Sequence, residues 1–433
     1  MKIDKKKLAL FGGSKVIKYK FKPHQPIGKE ELKAATRVIK SGNLSSFVAG
    51  QNKRSYYGGK KNFYGGKYTL KFENYLKNFY KVKNAIVLNS WTSGIIAALG
   101  AIDINPGDEI ITTPWTMCAT ATSILHWNAI PVFADIDKNN FCIDPEKVKK
   151  KITKRTVAIL AVDIFGQSCD LDNLKKIIKG TKIKIITDSA QSPFSFYKNK
   201  ITGTKSDIGG FSLNCHKHIN TGEGGIVVTN DDKLAEKVKL LRNHAESSMF
   251  GKKKKELPNM LGYNFRMGEI EAAIGIEQYK KLKNILKKKH GKLQYLNKKL
   301  SEFPGIRTNI IKKDITHNYY VLPIVLDLKI VKYSRQFIVN CLEAEGVQGL
   351  SSGYDNLHMY PIFQNKIAYG KYGFPWSISK KNIIYKRGIC PIAEELHNKT
   401  FIAFGVCAFD LSIKDIKKIL IAFEKVWKIL KII

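Results

Sequence analysis

The chain has 433 residues, 44% hydrophobic and 25% charged, and its 74 Lys plus Arg against 36 Asp plus Glu give a net charge of +38. This composition excludes an intrinsically disordered chain, and the length excludes a single small binding module, so two or three domains with full cores are expected. No run of about 18 uncharged apolar residues occurs, and the apolar stretch from Leu8 to Phe11 behind Lys5-Lys6-Lys7 is too short for a signal peptide; a soluble cytoplasmic protein without membrane insertion is expected.

Residues 1 to 25 read as an N-terminal arm, broken at Phe11-Gly12-Gly13 and bracketed near its end by Pro23 and Pro26. A helix is predicted from Glu30 to Ile39, stopped at Ser41-Gly42, and the glycine-rich stretch from Gly42 to Tyr68 reads as a long, mobile, functional loop. Strand and helix then alternate. Strands are predicted at Ala85–Leu88, Asp108–Thr112, Ile130–Ala134, Val157–Val162, Ile183–Ile186 and Ile226–Val228, with helices at Ser93–Ala101 and Cys118–Leu125. Short β-branched runs separated by helices indicate an α/β fold, a parallel sheet covered on both faces. A long helix from Glu269 to about Lys299 leads into a smaller C-terminal α+β part, with a strand at Tyr319–Leu326 and helices at Ser334–Glu345 and Ile413–Leu430. The expected division is an arm (1–25), a large domain (26–290) and a small domain (291–433).

The seven cysteines are widely spaced and form no CxxC pair, so they read as reduced core thiols. The basic excess is almost wholly lysine, with only eight arginines, and runs from end to end. Readers of bases and phosphates favour clustered Arg with interleaved aromatics, so a solvated surface is the reading and no specific nucleic-acid partner is expected. The run Lys252–Lys255 reads as an exposed loop.

Ligands of an open α/β sheet lie beyond the carboxyl ends of its strands, and four segments there carry chemistry. Asn89-Ser90-Trp91-Thr92-Ser93 places hydroxyls and backbone N–H groups at a helix start, which suits an N-cap or a phosphate. Thr113-Pro114-Trp115-Thr116 places an aromatic at a strand end, either as core or as a stacking surface. Asp188 ends the apolar strand Ile185-Ile186-Thr187, where an unpaired charge is costly and a cationic partner is expected. Lys217 lies between His216 and His218, just before Gly222-Glu223-Gly224-Gly225. No further histidine cluster supplies zinc ligands, so no metal is expected. A lysine amine, a carboxylate, an aromatic and a phosphate cup together fit pyridoxal 5′-phosphate.

These segments resemble the DegT/StrS sugar aminotransferases. The resemblance rests on Asn89-Ser90-Trp91-Thr92, Pro106-Gly107-Asp108-Glu109, Pro114-Trp115-Thr116, Pro131 to Asp137, Phe165-Gly166-Gln167, Asp188-Ser189-Ala190-Gln191, Ser212 through Lys217 to Gly225, and Gly262-Tyr263-Asn264-Phe265-Arg266-Met267. It implies fold type I, an aspartate aminotransferase-like large domain with a mostly parallel, seven-stranded sheet. It further implies that Lys217 forms the Schiff base with pyridoxal phosphate and that Asp188 pairs with the pyridinium. Trp115 would stack on the ring, and Gln191 would lie near its phenolic oxygen. Ser212, Thr92 and the backbone at Trp91 would hold the phosphate. Asn264 would reach the phosphate of a neighbouring subunit, so a homodimer is implied, with glutamate as the expected amino donor and a nucleotide-linked keto-sugar as the expected acceptor.

Two residues depart from the family pattern: Trp91 stands where Gly is usual, and Asp163 where His is common. Within the family the alternatives are a keto-cyclitol aminotransferase using glutamine, suggested by the opening Leu8-Ala9-Leu10-Phe11-Gly12-Gly13, and a sugar 3-dehydratase, in which His replaces the lysine. A non-catalytic polyanion-binding protein is the alternative of a different class, and rests on the charge alone. Arg54, Tyr56, Tyr57, Tyr64, His358 and Tyr360 are further candidates for an acceptor pocket, with no role assigned.

Overall fold

The computed structural model describes residues 5–47, 63–245, 258–379 and 382–432. The Lys252–Lys255 run and Arg54, Tyr56 and Tyr57 of the glycine-rich stretch lie outside the described residues.

The N-terminal arm leads to α1 (Lys29–Lys40) and α2 (Lys67–Tyr80). The large domain follows in alternation: β1 (Asn84–Leu88), α3 (Trp91–Ala101), β2 (Glu109–Thr112), α4 (Ala119–His126), β3 (Ile130–Phe133), α5 (Pro145–Lys149), β4 (Thr156–Val162), α6 (Leu171–Ile177) and β5 (Lys184–Asp188). A short hairpin, β6 (Phe196–Tyr197) and β7 (Lys200–Ile201), precedes β8 (Ile208–Ser212), β9 (Gly225–Thr229) and α7 (Asp232–Arg242). Seven strands form one sheet in the order β1-β9-β8-β5-β4-β2-β3. The run from β8 to β3 is parallel, and β9 is antiparallel to both β8 and β1. Helices cover both faces, so β2, β3 and β9 are buried along their full length and read as apolar runs without alternation.

The helix α8 (Glu269–Ser301) runs unbroken for 33 residues into the C-terminal part. Its packing changes along its length. Ala272, Ile276, Tyr279, Leu282 and Leu286 join the large-domain core, whereas Leu293, Leu296 and Leu300 join the C-terminal core. That second core is built on β10 (Ile306–Thr308), β11 (Leu322–Leu326), β12 (Leu350–Ser351) and β13 (Phe401–Phe404), in the sheet order β10-β11-β13-β12. Around it lie α9 (Leu328–Val331), α10 (Arg335–Ala344) and α13 (Ile413–Ile429), whereas α11 (Pro361–Gln364) and α12 (Pro391–Glu395) pack through Phe363 and Ala393 against the cluster of Ile111, Phe133 and Phe165 in the large domain. A Ser412–Asp415 capping box starts α13, and Ile416, Ile419, Phe423, Val426 and Trp427 form its buried stripe. Leu8, Ile17 and Phe21 of the arm pack into this C-terminal core.

Three expectations need correction. The strand predicted from Tyr319 begins only at Leu322, because Tyr319 adopts a left-handed backbone (φ 53°) and residues 318 to 321 bond instead to the loop after β4. The loop predicted up to Tyr68 ends at Gly66, where α2 begins. The cysteines are not all core thiols: five are buried, but Cys118, at the start of α4, and Cys215, two residues before Lys217, are exposed. Among the described residues no helix is long and apolar enough to cross a membrane, and no cluster of potential metal ligands occurs.

Candidate active site

A cavity of about 160 Å³ opens at the carboxyl ends of β4, β5 and β8. It is lined by Trp91 and Thr92 at the start of α3, Met117 and Thr120 around α4, Asp188 and Gln191 beyond β5, Ser212 ending β8, and Lys217 with His216 on the following loop. The sheet delivers these groups because parallel strands end at one edge. Larger grooves of about 700 and 1010 Å³ lie on the C-terminal part and along the arm, and neither brings a buried amine and carboxylate together.

Lys217 is 8% exposed. Its Nζ lies 4.5 Å from the centre of the Tyr320 ring and 3.5 Å from the Tyr320 hydroxyl, at the outer limit of a hydrogen bond. Burial brings its amine down from 10.5 to about 8, against the attraction of Asp188. The loop carrying it is pinned by its neighbour: the buried His218 meets the Asn318 carbonyl through Nε2 at 3.0 Å, and the His218 carbonyl accepts from His24 Nε2 at 2.8 Å. His24 Nδ1 in turn meets Asp410 at 2.9 Å, so the arm, the lysine loop and the C-terminal part are tied at one point.

Asp188 is buried, and burial raises its carboxyl above the ordinary range. Opposing this are the Trp91 indole, which donates to Oδ1 at 2.7 Å, the Ala190 N–H at 3.2 Å, the Thr120 hydroxyl, which donates to Oδ2 at 3.0 Å, and the charge of Lys217. Gln191 accepts from the Phe165 N–H at 2.6 Å and donates to the Tyr354 hydroxyl at 2.7 Å. Phe165 itself is left-handed (φ 60°) and is followed by Gly166 (φ 118°), where a Cβ would stand 3.0 Å from the Tyr319 N–H. That close approach lets Gly166 and Phe165 accept from Asn318 and Tyr320, which carries Tyr320 to the lysine. At α3, the Ser90 hydroxyl caps the helix by accepting from the Ser93 N–H at 3.0 Å, while Thr92 faces the cavity.

Seven of the predicted site residues, Lys217, Asp188, Trp91, Thr92, Gln191, Ser212 and Asn264, are placed as follows: the first six line the cavity, whereas Asn264 is exposed outside it, its Oδ1 accepting from Arg266 Nε at 2.8 Å. Trp115 lines no part of it. Its indole is fully buried among Phe141, Phe165 and Phe401 and donates to the Tyr354 carbonyl at 2.5 Å, which is the core alternative weighed for it. Met117, two residues on and half exposed, lines the cavity. Asp163 also faces away, held by Ser189, Thr202 and the Cys169 N–H. Tyr64 donates to Glu236, His358 is buried against Glu394, and Tyr360 reaches toward Asp355, all outside the cavity.

Sequence reasoning missed Thr120, Met117, Tyr320 and Tyr354. Thr120 lies four residues after Thr116, and their hydroxyls are 3.3 Å apart, a helical spacing that would have flagged a polar inner face. Tyr320 and Tyr354 come from the C-terminal part, and no local pattern announces them.

A buried amine with one weak partner, beside a buried carboxylate and a helix start, fits pyridoxal 5′-phosphate: the amine is available to a carbonyl, and the helix start suits a phosphate. Residues 54–400 match the DegT/DnrJ/EryC1/StrS aminotransferase family. The chain is similar to the spore coat polysaccharide biosynthesis protein SpsC of Bacillus subtilis, 32% identical over 356 residues, covering 81% of this chain and 86% of that protein. It is also similar to the UDP-4-amino-4,6-dideoxy-N-acetyl-beta-L-altrosamine transaminase of Helicobacter pylori, 32% identical over 348 residues, covering 79% and 84%. Among solved structures, Helicobacter pylori PseC, an aminotransferase involved in the biosynthesis of pseudoaminic acid, superposes with a TM-score of 0.75 at 27% identity over 95% of this chain and 99% of that one. With the seven-stranded fold and the cavity residues in agreement, the chain belongs to the DegT/DnrJ/EryC1/StrS family of pyridoxal phosphate-dependent sugar aminotransferases.

Proposed function

We propose that this enzyme carries the amino group of glutamate to the keto carbon of a nucleotide-linked sugar, working as a homodimer, for amino-sugar and surface-polysaccharide synthesis. The observation that carries the reading is the buried Lys217 amine, brought to about 8 and facing the same cavity as Asp188. When bound, pyridoxal phosphate supplies an exchangeable carbonyl carbon and an electron sink.

The chain's residues divide the remaining work. Lys217 would hold the cofactor through its amine, and that amine, when free, would take the proton from the donor's Cα and deliver one to the carbon that receives nitrogen. An amine near 8 is suited to this, since it exchanges a proton close to neutral pH. Asp188 would keep the ring nitrogen protonated. Thr92, Ser212 and the Trp91 backbone N–H would hold the phosphate, and Gln191 would lie on the phenolic side. Tyr320 and Tyr354 exclude water from the lysine and glutamine. Asn264, exposed on its own chain, serves the site of the second copy.

Lys217 at 8% exposure, against the exposed His216 beside it, favours amine transfer over dehydration by a histidine. The test is the visible absorbance of the purified protein with pyridoxal phosphate, before and after glutamate, beside Lys217→Ala, followed by incubation with nucleotide-linked keto-sugars. Bleaching by glutamate and recovery with a keto-sugar in the wild type alone are expected. Bleaching without recovery on any nucleotide-linked acceptor, but with recovery on a keto-cyclitol, would overturn the acceptor assignment.

A further inference from the structure

The side chain of Trp91 does something that phosphate binding by its backbone does not require. The indole is 5% exposed, and Nε1 donates to Asp188 Oδ1 at 2.7 Å. The sheet has cleared room for it. A Cβ on Gly210 would stand 1.8 Å from the ring, and one on Gly94 would stand 2.5 Å away. Gly210 is the residue of β8 paired in register with Asp188, so the ring occupies the space directly beside the carboxylate's own strand partner.

A buried carboxylate needs compensation, and beside the Ala190 N–H, which meets Oδ1 at the longer distance of 3.2 Å, the charge of Lys217 and the indole N–H differ in kind. Lys217 is a variable partner, because its amine must be neutral to react and is consumed in holding the cofactor. The indole N–H is a permanent donor that does not titrate. It is aimed at Oδ1, while the Thr120 hydroxyl on α4 addresses Oδ2 at 3.0 Å, so the two oxygens are fixed from two different helices. An indole that merely filled space above Gly210 would have no need to present its nitrogen to the carboxylate.

We infer that the Trp91 indole is a positioning residue for Asp188: its N–H holds the carboxylate ionised and in one orientation whatever the state of Lys217, so that Asp188 meets the cofactor's ring nitrogen as an anion. The inference rests on the reading of Asp188 as the partner of that nitrogen. It assigns to Trp91 a part in tuning the cofactor that a glycine at the same position would leave to solvent or to other donors.

Trp91→Phe keeps an aromatic ring over Gly210 and removes the donor. In the cofactor-free protein it is expected to melt within a few degrees of the wild type. Its dissociation constant for pyridoxal phosphate is expected to rise about tenfold, the scale of one lost hydrogen bond to a charged group. The pH dependence of the bound cofactor's visible absorbance should shift as well, and Thr120→Val in the same background should weaken binding further. An unchanged dissociation constant together with an unchanged pH profile would overturn the inference. A second measurement does not depend on the folding of a Trp91 variant: the indole N–H resonances of the wild type labelled with ¹⁵N-tryptophan. One resonance is expected far downfield and to move upfield in Asp188→Asn; no such response overturns the inference. Failure of the wild type to bleach with glutamate would count against the proposed function, whereas the indole resonance reports on the Trp91–Asp188 bond in either case.

Discussion

The neighbouring strands β4 and β5 each deliver an aspartate to the same edge of the sheet, and the two carboxylates have opposite fates. Val162 of β4 pairs with Asp188 of β5, and the Asp163 N–H donates to the Asp188 carbonyl at 2.9 Å. Both side chains are buried and both are raised by burial. Asp163 is enclosed by donors that stitch three segments together: Ser189 after β5, Thr202 after the hairpin, and the Cys169 N–H before α6. Asp188 takes its donors from Trp91 and Thr120, which themselves line the cavity. Burial at a strand end therefore does not distinguish a carboxylate that faces the cavity from a brace. What distinguishes them is whether the surrounding donors close the site or leave it open to a ligand.

The largest expected effect separates the two directly. Asp188→Asn should slow bleaching of the bound cofactor by glutamate by about a hundredfold or more, because an amide gives no anionic partner to a protonated ring. Asp163→Asn should leave that rate within about threefold, measured in the same stopped-flow assay. A comparable loss in both would collapse the distinction.

Stability should show the converse. Asp163→Ala leaves Ser189, Thr202 and the Cys169 N–H without their acceptor, and should cost about 2–4 kcal/mol in denaturant unfolding. The same carboxylate has a pH signature. Its value in the folded protein, about 6, lies above the ordinary 3.8, so the folded state holds an extra proton between the two. The associated stability is complete below 3.8 and is lost as pH rises through 6. In Asp163→Asn this decline should be absent.

Lys217→Met sharpens the contrast from the cationic side. With the amine at about 8 rather than 10.5, the cofactor-free protein carries the full cost of a buried ammonium below pH 8 and is relieved of it as pH climbs toward 10.5. The methionine variant should be more stable by about 1–3 kcal/mol at neutral pH, in an apo-protein melt, with the advantage shrinking in alkali. The smallest effect belongs to Trp115→Phe. It should cost about 1–2 kcal/mol of stability through the lost bond to the Tyr354 carbonyl and the lost ring volume, while the dissociation constant for pyridoxal phosphate stays within about threefold.

The sheet was legible because its strands are short, apolar and bounded by turns, and six of the seven strands of the sheet follow that pattern; β8, Ile208-Gly209-Gly210-Phe211-Ser212, did not, since two glycines dilute its apolar signal. Those glycines give way to the Trp91 ring and to the loop at Gly203, so the weak strand signal and the crowding beside the site have one cause. That Lys217, Asp188, Thr92, Gln191 and Ser212 share one cavity was legible because they lie at strand or helix ends in a characteristic order. Trp115 is ambiguous in the sequence because a strand-end aromatic has two physical uses, and its packing among Phe141, Phe165 and Phe401 appears only in the folded chain. Tyr320 and Tyr354 could not be read at all, since they arrive by tertiary docking of segments 318–321 and 354–357 onto the loops after β4 and β2.

The unbroken α8 has a mechanical consequence. At about 1.5 Å per residue its 33 residues make a rod about 50 Å long, anchored at one end in the large-domain core by Ala272 to Leu286 and at the other in the C-terminal core by Leu293, Leu296 and Leu300. Any breathing of the cleft must flex this beam or roll about it, because a continuous helix offers no loop in which to pivot. The tie from His24 to His218 and Asp410 lies alongside the beam and limits its travel.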